Sequence, residues 1–180
     1  EEITLEGGSA RVFLGSLFGQ TSPVHTFTPL LGAEIHINPG EAVIFDVDPT
    51  FEHGLLVDSG DVQLEGVTVE PTQLAYTGIN ETQLRIRNIG TTPARTVRLG
   101  GEPFAEDIVM WWNFIGRSHD EIEEYRKQWQ EESERFGVTH GYISHSRDGL
   151  TRLPAPELPN AAIKARKNPA PTARPETRID

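Results

Sequence analysis

The chain has 180 residues, with 16 basic and 27 acidic side chains, a formal net charge of −11 and no cysteine. This length fits one domain, or one domain with a tail. The negative charge argues against direct nucleic-acid binding and against docking on anionic membranes, since both need a cationic surface. The absence of cysteine excludes disulfides, thiolate metal sites and cysteine nucleophiles. No apolar run approaches the roughly 18 residues of a membrane span, and we expect a cytoplasmic protein.

Residues 10–114 contain many short apolar runs separated by Gly, Pro and Asn, which is typical of an all-β sandwich or small barrel. Residues 33–38 and 83–88 alternate apolar and polar side chains, so each predicts a strand with one buried face. Residues 42–45 are apolar at every position and predict a central strand covered on both faces.

One helix is predicted, over residues 119–136. Ser118 is a favourable N-cap residue, and Glu121 three positions later completes a capping box. Gly137 supplies the C-terminal stop. Apolar residues at helical spacing form one stripe, made of Ile122, Tyr125, Trp129 and Phe136. We expect this stripe to lie over the barrel or over a neighbouring domain.

The composition changes after residue 153. Residues 154–180 hold six prolines, five basic and three acidic residues, and the prolines prevent regular structure. We expect this Pro-rich tail to be an extended arm, at least partly docked on protein. The predicted domains are therefore 1–153, which includes the helix, and the tail over 154–180.

Three segments carry a family resemblance. Residues 22–29 read SPVHTFTP, residues 51–62 read FEHGLLVDSGDV, and residues 101–122 run from a double-tryptophan strand into the capped helix. Together they resemble the C-terminal cupin domain of the pirin family, whose members are two-domain β-barrel proteins. The resemblance covers about residues 10–153. It implies a cupin jelly-roll barrel with one C-terminal α-helix, which agrees with the strand pattern.

The resemblance also implies a division of labour. Some pirin-family proteins act as quercetin dioxygenases, and others are redox or transcription co-regulators that bind partner proteins. In the family, iron lies in the N-terminal domain on histidines and a glutamate that include an H-x-H pair, and this sequence has no such set. We therefore expect no catalytic residue, cofactor or metal in this chain, with iron only in an N-terminal domain that the chain lacks.

The expected function is that of a non-catalytic domain that stabilises or partners an iron-binding N-terminal cupin. That partner could belong to the same polypeptide or to another protein chain. A stand-alone cupin that binds a divalent metal and a small ligand is one alternative. A protein-interaction or dimerisation module, forming a homo-oligomer through the helix and the arm, is another.

Two aspartates are weak metal candidates. The cupin frame G-x5-H-x-H-x3-E is matched with Asp46 and Asp48 in place of the histidines, between Gly40 and Glu52. Two residues apart on a strand, Asp46 and Asp48 would share a face and could hold a hard divalent cation. The competing interpretation is a turn, or pairing with an arginine of residues 83–88.

Two histidines are the other weak metal candidates. His36 lies on the polar face of its predicted strand, and His53 begins the next one. They could bind a metal together if both pointed into one barrel mouth. Nothing in their spacing requires this, because single histidines are usually surface residues or hydrogen-bonded core residues.

The tryptophans are candidates for an interface. Trp111 and Trp112 are adjacent in a predicted strand and should therefore point to opposite faces. One of them is expected in the core. The other, together with Trp129, would cover a groove or meet a second domain. Core packing of all three is the alternative.

Overall fold

The computed structural model describes residues 2–145, 148–150 and 152–165. The described residues form two compact units, one over residues 2–104 and one over residues 105–165. We call them the sheet unit and the hairpin–helix unit. The predicted domain boundary at residue 153 stays a prediction.

The sheet unit consists of antiparallel strands in two main sheets. Its strands are β1 Ile3–Leu5, β2 Gly8–Leu14, β3 Ser16–Leu17, β4 Gln20–Thr21, β5 Leu30–Ile37, β6 Ala42–Asp46, β7 Glu52–Ser59, β8 Val62–Leu64, β9 Val67–Val69, β10 Leu74–Thr77, β11 Gln83–Asn88 and β12 Ala94–Gly101. The larger sheet has the order β1-β2-β5-β12-β7-β10, the smaller one β6-β11-β8-β9, and β3 pairs with β4. Neighbours such as β5 and β12 come from distant parts of the chain, as in a jelly roll. The predicted all-β jelly-roll class is confirmed.

Alternation along the strands builds the core of this unit. Ala33, Ile35 and Ile37 of β5 are buried, and so are Leu84 and Ile86 of β11. Both strands were predicted from the same alternation. Because successive side chains leave a strand on opposite faces, the polar residues between them point away from the core.

The prediction for residues 42–45 is wrong. β6 lies at the edge of the smaller sheet, where it pairs with β11. Val43 and Phe45 are buried, but Ile44 between them is 56 % exposed. The continuous apolar run therefore forms a strand with one buried face and one exposed apolar face.

Two of the side chains that β12 turns inward are polar. Thr96 and Arg98 are buried, whereas Leu99 is exposed and Val97 is partly exposed. The hydroxyl of Thr96 donates to the carbonyl oxygen of Ile35 at 3.2 Å, which satisfies it inside the core. Pairing with β5 on one side and β7 on the other fixes this orientation, since a strand inside a ladder cannot slip by one residue alone.

The hairpin–helix unit contains a hairpin, a helix and a C-terminal segment. The hairpin is β13 Val109–Trp111 with β14 Phe114–Gly116, and the helix α1 spans His119–Gln130. Ser118 caps α1 as predicted, because its Oγ accepts from the backbone N–H of Glu121 at 3.2 Å. The Glu121 carboxylate accepts from the N–H of Arg117 at 2.7 Å, one residue earlier than a capping box requires.

The helix ends earlier than predicted, at Gln130 rather than at residue 136. Glu132 has a φ of 55°, in the left-handed region that stops an α-helix. A short 3₁₀ helix, Glu134–Phe136, follows and ends at Gly137. Phe136 still joins the helix stripe in the core of this unit, so its spacing was informative although its backbone is not α-helical.

The described part of the Pro-rich tail packs against α1 without forming a helix or strand. The indole N–H of Trp129 donates to the carbonyl of Leu153 at 2.8 Å, and the N–H of Ala155 donates to Oε1 of Gln130 at 2.7 Å. The N–H of Ile163 donates to Nδ1 of His119 at 3.2 Å. Residues 154–165 of the predicted arm thus lie against α1, and residues 166–180 lie outside the described residues.

Among the described residues, no helix combines the length and the apolar character that crossing a membrane requires. The predicted cytoplasmic location stays a prediction.

Candidate functional site

Two polar side chains, His53 on β7 and Arg98 on β12, contact each other in the interior of the sheet unit. The two strands are neighbours, and both side chains point inward, with exposures of 3 % and 1 %. Nη2 of Arg98 donates to Nδ1 of His53 at 2.9 Å. The guanidinium also lies over the ring of Phe45, 4.9 Å from its centroid. A positive charge is thus held inside the jelly roll.

Burial sets the protonation of this pair. Removal from water lowers the pKa of Arg98 to about 10, which still leaves it charged at neutral pH. Burial, and then the Arg98 charge, lower the pKa of His53 to about 4, while Asp48 opposes this slightly. His53 is therefore neutral at pH 7. Because its Nδ1 accepts from Arg98, its single proton lies on Nε2.

The pair lines a cavity of about 10 Å³ whose other walls are mainly apolar, with Phe45, Leu84 and Ile86 among them. Nε and Nη1 of Arg98 and Nε2 of His53 are buried and have no hydrogen-bond partner among the described residues. The three atoms are all donors, since guanidinium nitrogens only donate and Nε2 carries the imidazole proton.

This interior does not fit iron. Non-haem iron prefers imidazoles together with a carboxylate, whereas the pair offers one imidazole beside a guanidinium. The guanidinium repels a cation, and the Nδ1 lone pair of His53 is already used. Across the described residues, no group of three or more His, Cys, Asp or Glu side chains could hold a metal ion.

The two aspartate candidates lie in different settings. Asp46 ends β6, is exposed, and accepts from the side-chain amide of Gln83 at 3.3 Å. Asp48 lies beyond the strand. Its Oδ1 accepts from the N–H and the hydroxyl of Thr50 at 2.9 and 2.7 Å, which lowers the pKa of Asp48. The shared strand face that we predicted is absent, and Asp48 makes the turn of the competing interpretation.

The two histidine candidates do not meet. His36 is exposed on the outer face of the larger sheet, where its Nε2 lies 2.9 Å from Oε1 of Glu34. His53 points to the opposite, inner face. A joint metal site for these histidines has no support in the geometry.

The three tryptophans all lie in the hairpin–helix unit. Trp111 ends β13, and Trp112 opens the two-residue turn with a φ of 51°, so they do not alternate along one strand as predicted. Trp112 lies 5.7 Å from Trp129 and 5.4 Å from Phe114, centroid to centroid. These contacts are core packing within the unit. An additional interface role stays a prediction.

An apolar strip crosses the outer face of the larger sheet. We call it the outer apolar stripe, and it consists of Phe13, Leu56, Leu74 and Leu99, which are 38–58 % exposed. Two glycines allow side chains of the stripe to lie flat against the sheet, because a Cβ at either position would crowd them. A Cβ on Gly32 would come within 2.3 Å of the Phe13 ring, and one on Gly54 within 3.1 Å of Leu74. Exposed apolar strips of this kind often mark interaction sites.

A charged region lies on the same face of the sheet. Nε of Arg95 bonds to Oε1 of Glu34 at 2.7 Å, and its Nη1 bonds to Oδ2 of Asp58 at 3.1 Å. The face therefore divides into an apolar and an ionic part, as interfaces with an apolar centre and a polar rim do.

The outer face of the smaller sheet carries a different feature, an open groove of about 620 Å³. Its lining is largely polar and includes Gln63, Asn80, Thr82 and Arg87. Small-molecule sites are usually enclosed and mainly apolar, so this groove has the weaker claim to a ligand.

The comparison with protein families decides the relationship. The model of the pirin C-terminal cupin domain matches residues 32–137, more than half of the chain. The chain belongs to this family. The jelly roll of the sheet unit is accordingly a cupin fold, and the resemblance noted in the sequence is confirmed.

Individual relatives agree. A Pseudomonas aeruginosa protein, whose name assigns it provisionally to the quercetin 2,3-dioxygenases, is 35 % identical over 156 residues, 86 % of this chain and 46 % of its own length. A pirin-like protein of Caulobacter vibrioides is 27 % identical over 124 residues, 69 % of this chain and 41 % of its own length. This pirin C-terminal cupin domain therefore spans about half the length of the curated relatives it matches.

A solved structure shows the same coverage. The crystal structure of a quercetin 2,3-dioxygenase from Acinetobacter baumannii superposes with a TM-score of 0.75 at 28 % identity. The match covers 93 % of this chain and 53 % of that one. The conserved fold thus extends over nearly all of the pirin C-terminal cupin domain.

Proposed function

We propose that this pirin C-terminal cupin domain is non-catalytic alone and that it binds and stabilises an iron-binding N-terminal cupin domain. One observation carries the proposal. The interior of its jelly roll holds the Arg98–His53 pair, a cationic set of donors, where a metal-dependent cupin needs imidazole and carboxylate ligands. The activity then belongs to the N-terminal cupin domain. That activity is either the oxygenation of quercetin or a role as a co-regulator.

The outer apolar stripe supports the partnering half of the proposal. Its four side chains lie on four strands of one sheet and are exposed in the chain itself. Covering them would remove apolar surface from water, which is the main driving force of stable association. Because the chain spans about half of its relatives, an N-terminal cupin is a partner of fitting size.

A binding experiment tests this directly. The N-terminal half of the Pseudomonas aeruginosa relative, expressed separately and loaded with iron, is titrated with this chain and followed by sedimentation velocity. We expect a 1:1 complex that Leu99→Asp weakens about tenfold or more, because the substitution places a charge in the stripe. Ile44→Asp is the matched control, since Ile44 is also apolar and exposed but lies on the other sheet. It should leave the affinity unchanged.

Oxygen uptake with quercetin then separates the two halves of the proposal. This chain alone should show none, and the complex should retain activity for longer at elevated temperature than the iron-loaded N-terminal half alone. No complex with the wild-type chain, or equal weakening by Leu99→Asp and Ile44→Asp, would overturn the partnering role. Iron-dependent turnover by this chain alone would overturn the non-catalytic role.

A further inference from the structure

Two arginines on β12 lie in opposite environments. Arg95 of β12 lies on the outer face and bonds to the carboxylates of Glu34 and Asp58. Arg98, three residues later, points into the core and is 1 % exposed. Among the described residues no carboxylate contacts Arg98, and its hydrogen-bond partner is the neutral ring of His53. A buried charge without a counter-charge is strongly unfavourable, so this arrangement needs a compensating group.

The chemistry of the free atoms identifies what that group is. Nε and Nη1 of Arg98 and Nε2 of His53 can only donate, and both residues line the same cavity. A cation is repelled there. A neutral acceptor such as water would satisfy some of the donors and leave the charge uncompensated. An anion accepts hydrogen bonds from the free donors and also compensates the charge of Arg98.

The size of the cavity limits the class of anion. Its volume of about 10 Å³ admits one particle of about the size of a water molecule, so a chloride ion, which is somewhat larger, requires a small outward shift of the lining side chains. Phosphates and organic carboxylates are too large. The apolar remainder of the lining strengthens the attraction between a guanidinium and a small anion, because the local dielectric constant is low.

We infer that Arg98 and His53 form a binding site for one small monovalent anion of the halide type inside the jelly roll, with chloride as the probe. Such a site makes the buried arginine a structural anchor, and it is independent of any partner domain.

The test compares chloride with gluconate, an anion too large to enter. The full chain is melted in about 100 mM sodium chloride and in sodium gluconate of equal ionic strength, so that charge screening is matched. We expect a melting temperature about 3–5 °C higher in chloride if chloride is near tenfold above its Kd. Arg98→Met, which removes the buried charge at similar volume, should abolish the difference. Arg95→Met, on the outer face of the same strand, should keep it.

Crystals of the wild-type chain grown in sodium bromide locate the ion. They also provide the test of the site if Arg98→Met fails to fold. An anomalous peak within hydrogen-bond distance of Arg98 and His53 is expected. A peak at that position without anomalous signal would mean that water satisfies the donors, and this overturns the proposal. Equal melting of the wild type in both salts, or a chloride response that survives in Arg98→Met, overturns it as well.

Discussion

The two units of the chain distribute their stability differently. The sheet unit buries many aliphatic side chains, such as Ile35, Val57 and Ile86, from strands of both sheets. The hairpin–helix unit has few fully buried residues, and aromatic rings surround one of them, Phe114. A core made of many similar contributions tolerates the loss of one, whereas a core centred on one ring does not. Single substitutions should therefore have larger effects in the smaller unit.

The largest expected effect comes from removing the centre of the aromatic core. Phe114 is 4 % exposed and its ring contacts those of Trp111, Trp112, Trp129 and Phe136. Phe114→Ala should destabilise this unit by about 3–5 kcal/mol, through lost burial and the cavity that remains. All three tryptophans lie in this unit, so tryptophan fluorescence during urea unfolding reports on it selectively.

The control for this change is Phe27→Ala, because Phe27 is 97 % exposed. It should leave the fluorescence transition within about 0.5 kcal/mol of the wild type. Destabilisation by Phe114→Ala of less than about 1 kcal/mol, the cost of an ordinary substitution, would mean that the aromatic core is not centred on this ring.

The next effect belongs to the sheet unit and appears as a pH dependence. The pKa of His53 is about 4 in the folded protein and about 6.5 when unfolded. Between these values the unfolded state binds a proton that the folded state does not, so stability falls as the pH drops from 6.5 to 4. The loss from this residue should approach about 3 kcal/mol at pH 4. Urea unfolding monitored by far-UV circular dichroism at several pH values measures it.

His53→Gln should remove this component and flatten the pH dependence, whatever it does to the stability at pH 7. The matched control is His36→Gln, since His36 is exposed and lies on the outer face of the same sheet. It should retain the wild-type slope. A slope that persists in His53→Gln would show that the carboxylates, and not the buried imidazole, determine acid sensitivity.

The smallest effect concerns how the helix of the smaller unit begins. Ser118→Ala removes the hydroxyl that caps α1 and should cost about 1 kcal/mol in the fluorescence-detected unfolding. Ser133 precedes the 3₁₀ helix without making a side-chain cap, and its hydroxyl has no partner among the described residues. Ser133→Ala should therefore change stability by less than about 0.5 kcal/mol. Equal effects of the two substitutions would contradict the capping assignment.

Sequence patterns predicted much of the fold because they depend on local periodicity. Residues 33–38 and 83–88 became strands with the expected buried faces, and Ser118 began the helix. Ala42–Asp46 shows the limit, since an apolar run does not reveal which sheet positions its strand will occupy. The end of α1 was missed because Glu132 adopts a left-handed backbone, which no apolar spacing predicts.

The Arg98–His53 pair was the main feature that the sequence did not predict. Residues 94–99 read ARTVRL, and hydrophobicity alone would turn Val97 and Leu99 inward. The ladder with β5 and β7 fixes the opposite orientation, which buries Arg98 and exposes Leu99. The signal lies in pairing between distant strands. One strand read alone could not have supplied it, and the same inversion also creates part of the outer apolar stripe.

The docked arm has a consequence for how this chain can change in evolution. Trp129 and Arg126 donate to the carbonyls of Leu153 and Pro156, and Gln130 accepts from the N–H of Ala155. These bonds involve only main-chain atoms of the arm, so they do not depend on which side chains it carries. Prolines suit such positions, because each still presents a carbonyl. Within residues 154–165, mutations should accumulate at the exposed positions, whereas selection conserves the helix side chains that hold the arm and the arm side chains that pack in the core of this unit, Ala155, Leu158, Ile163 and Ala165.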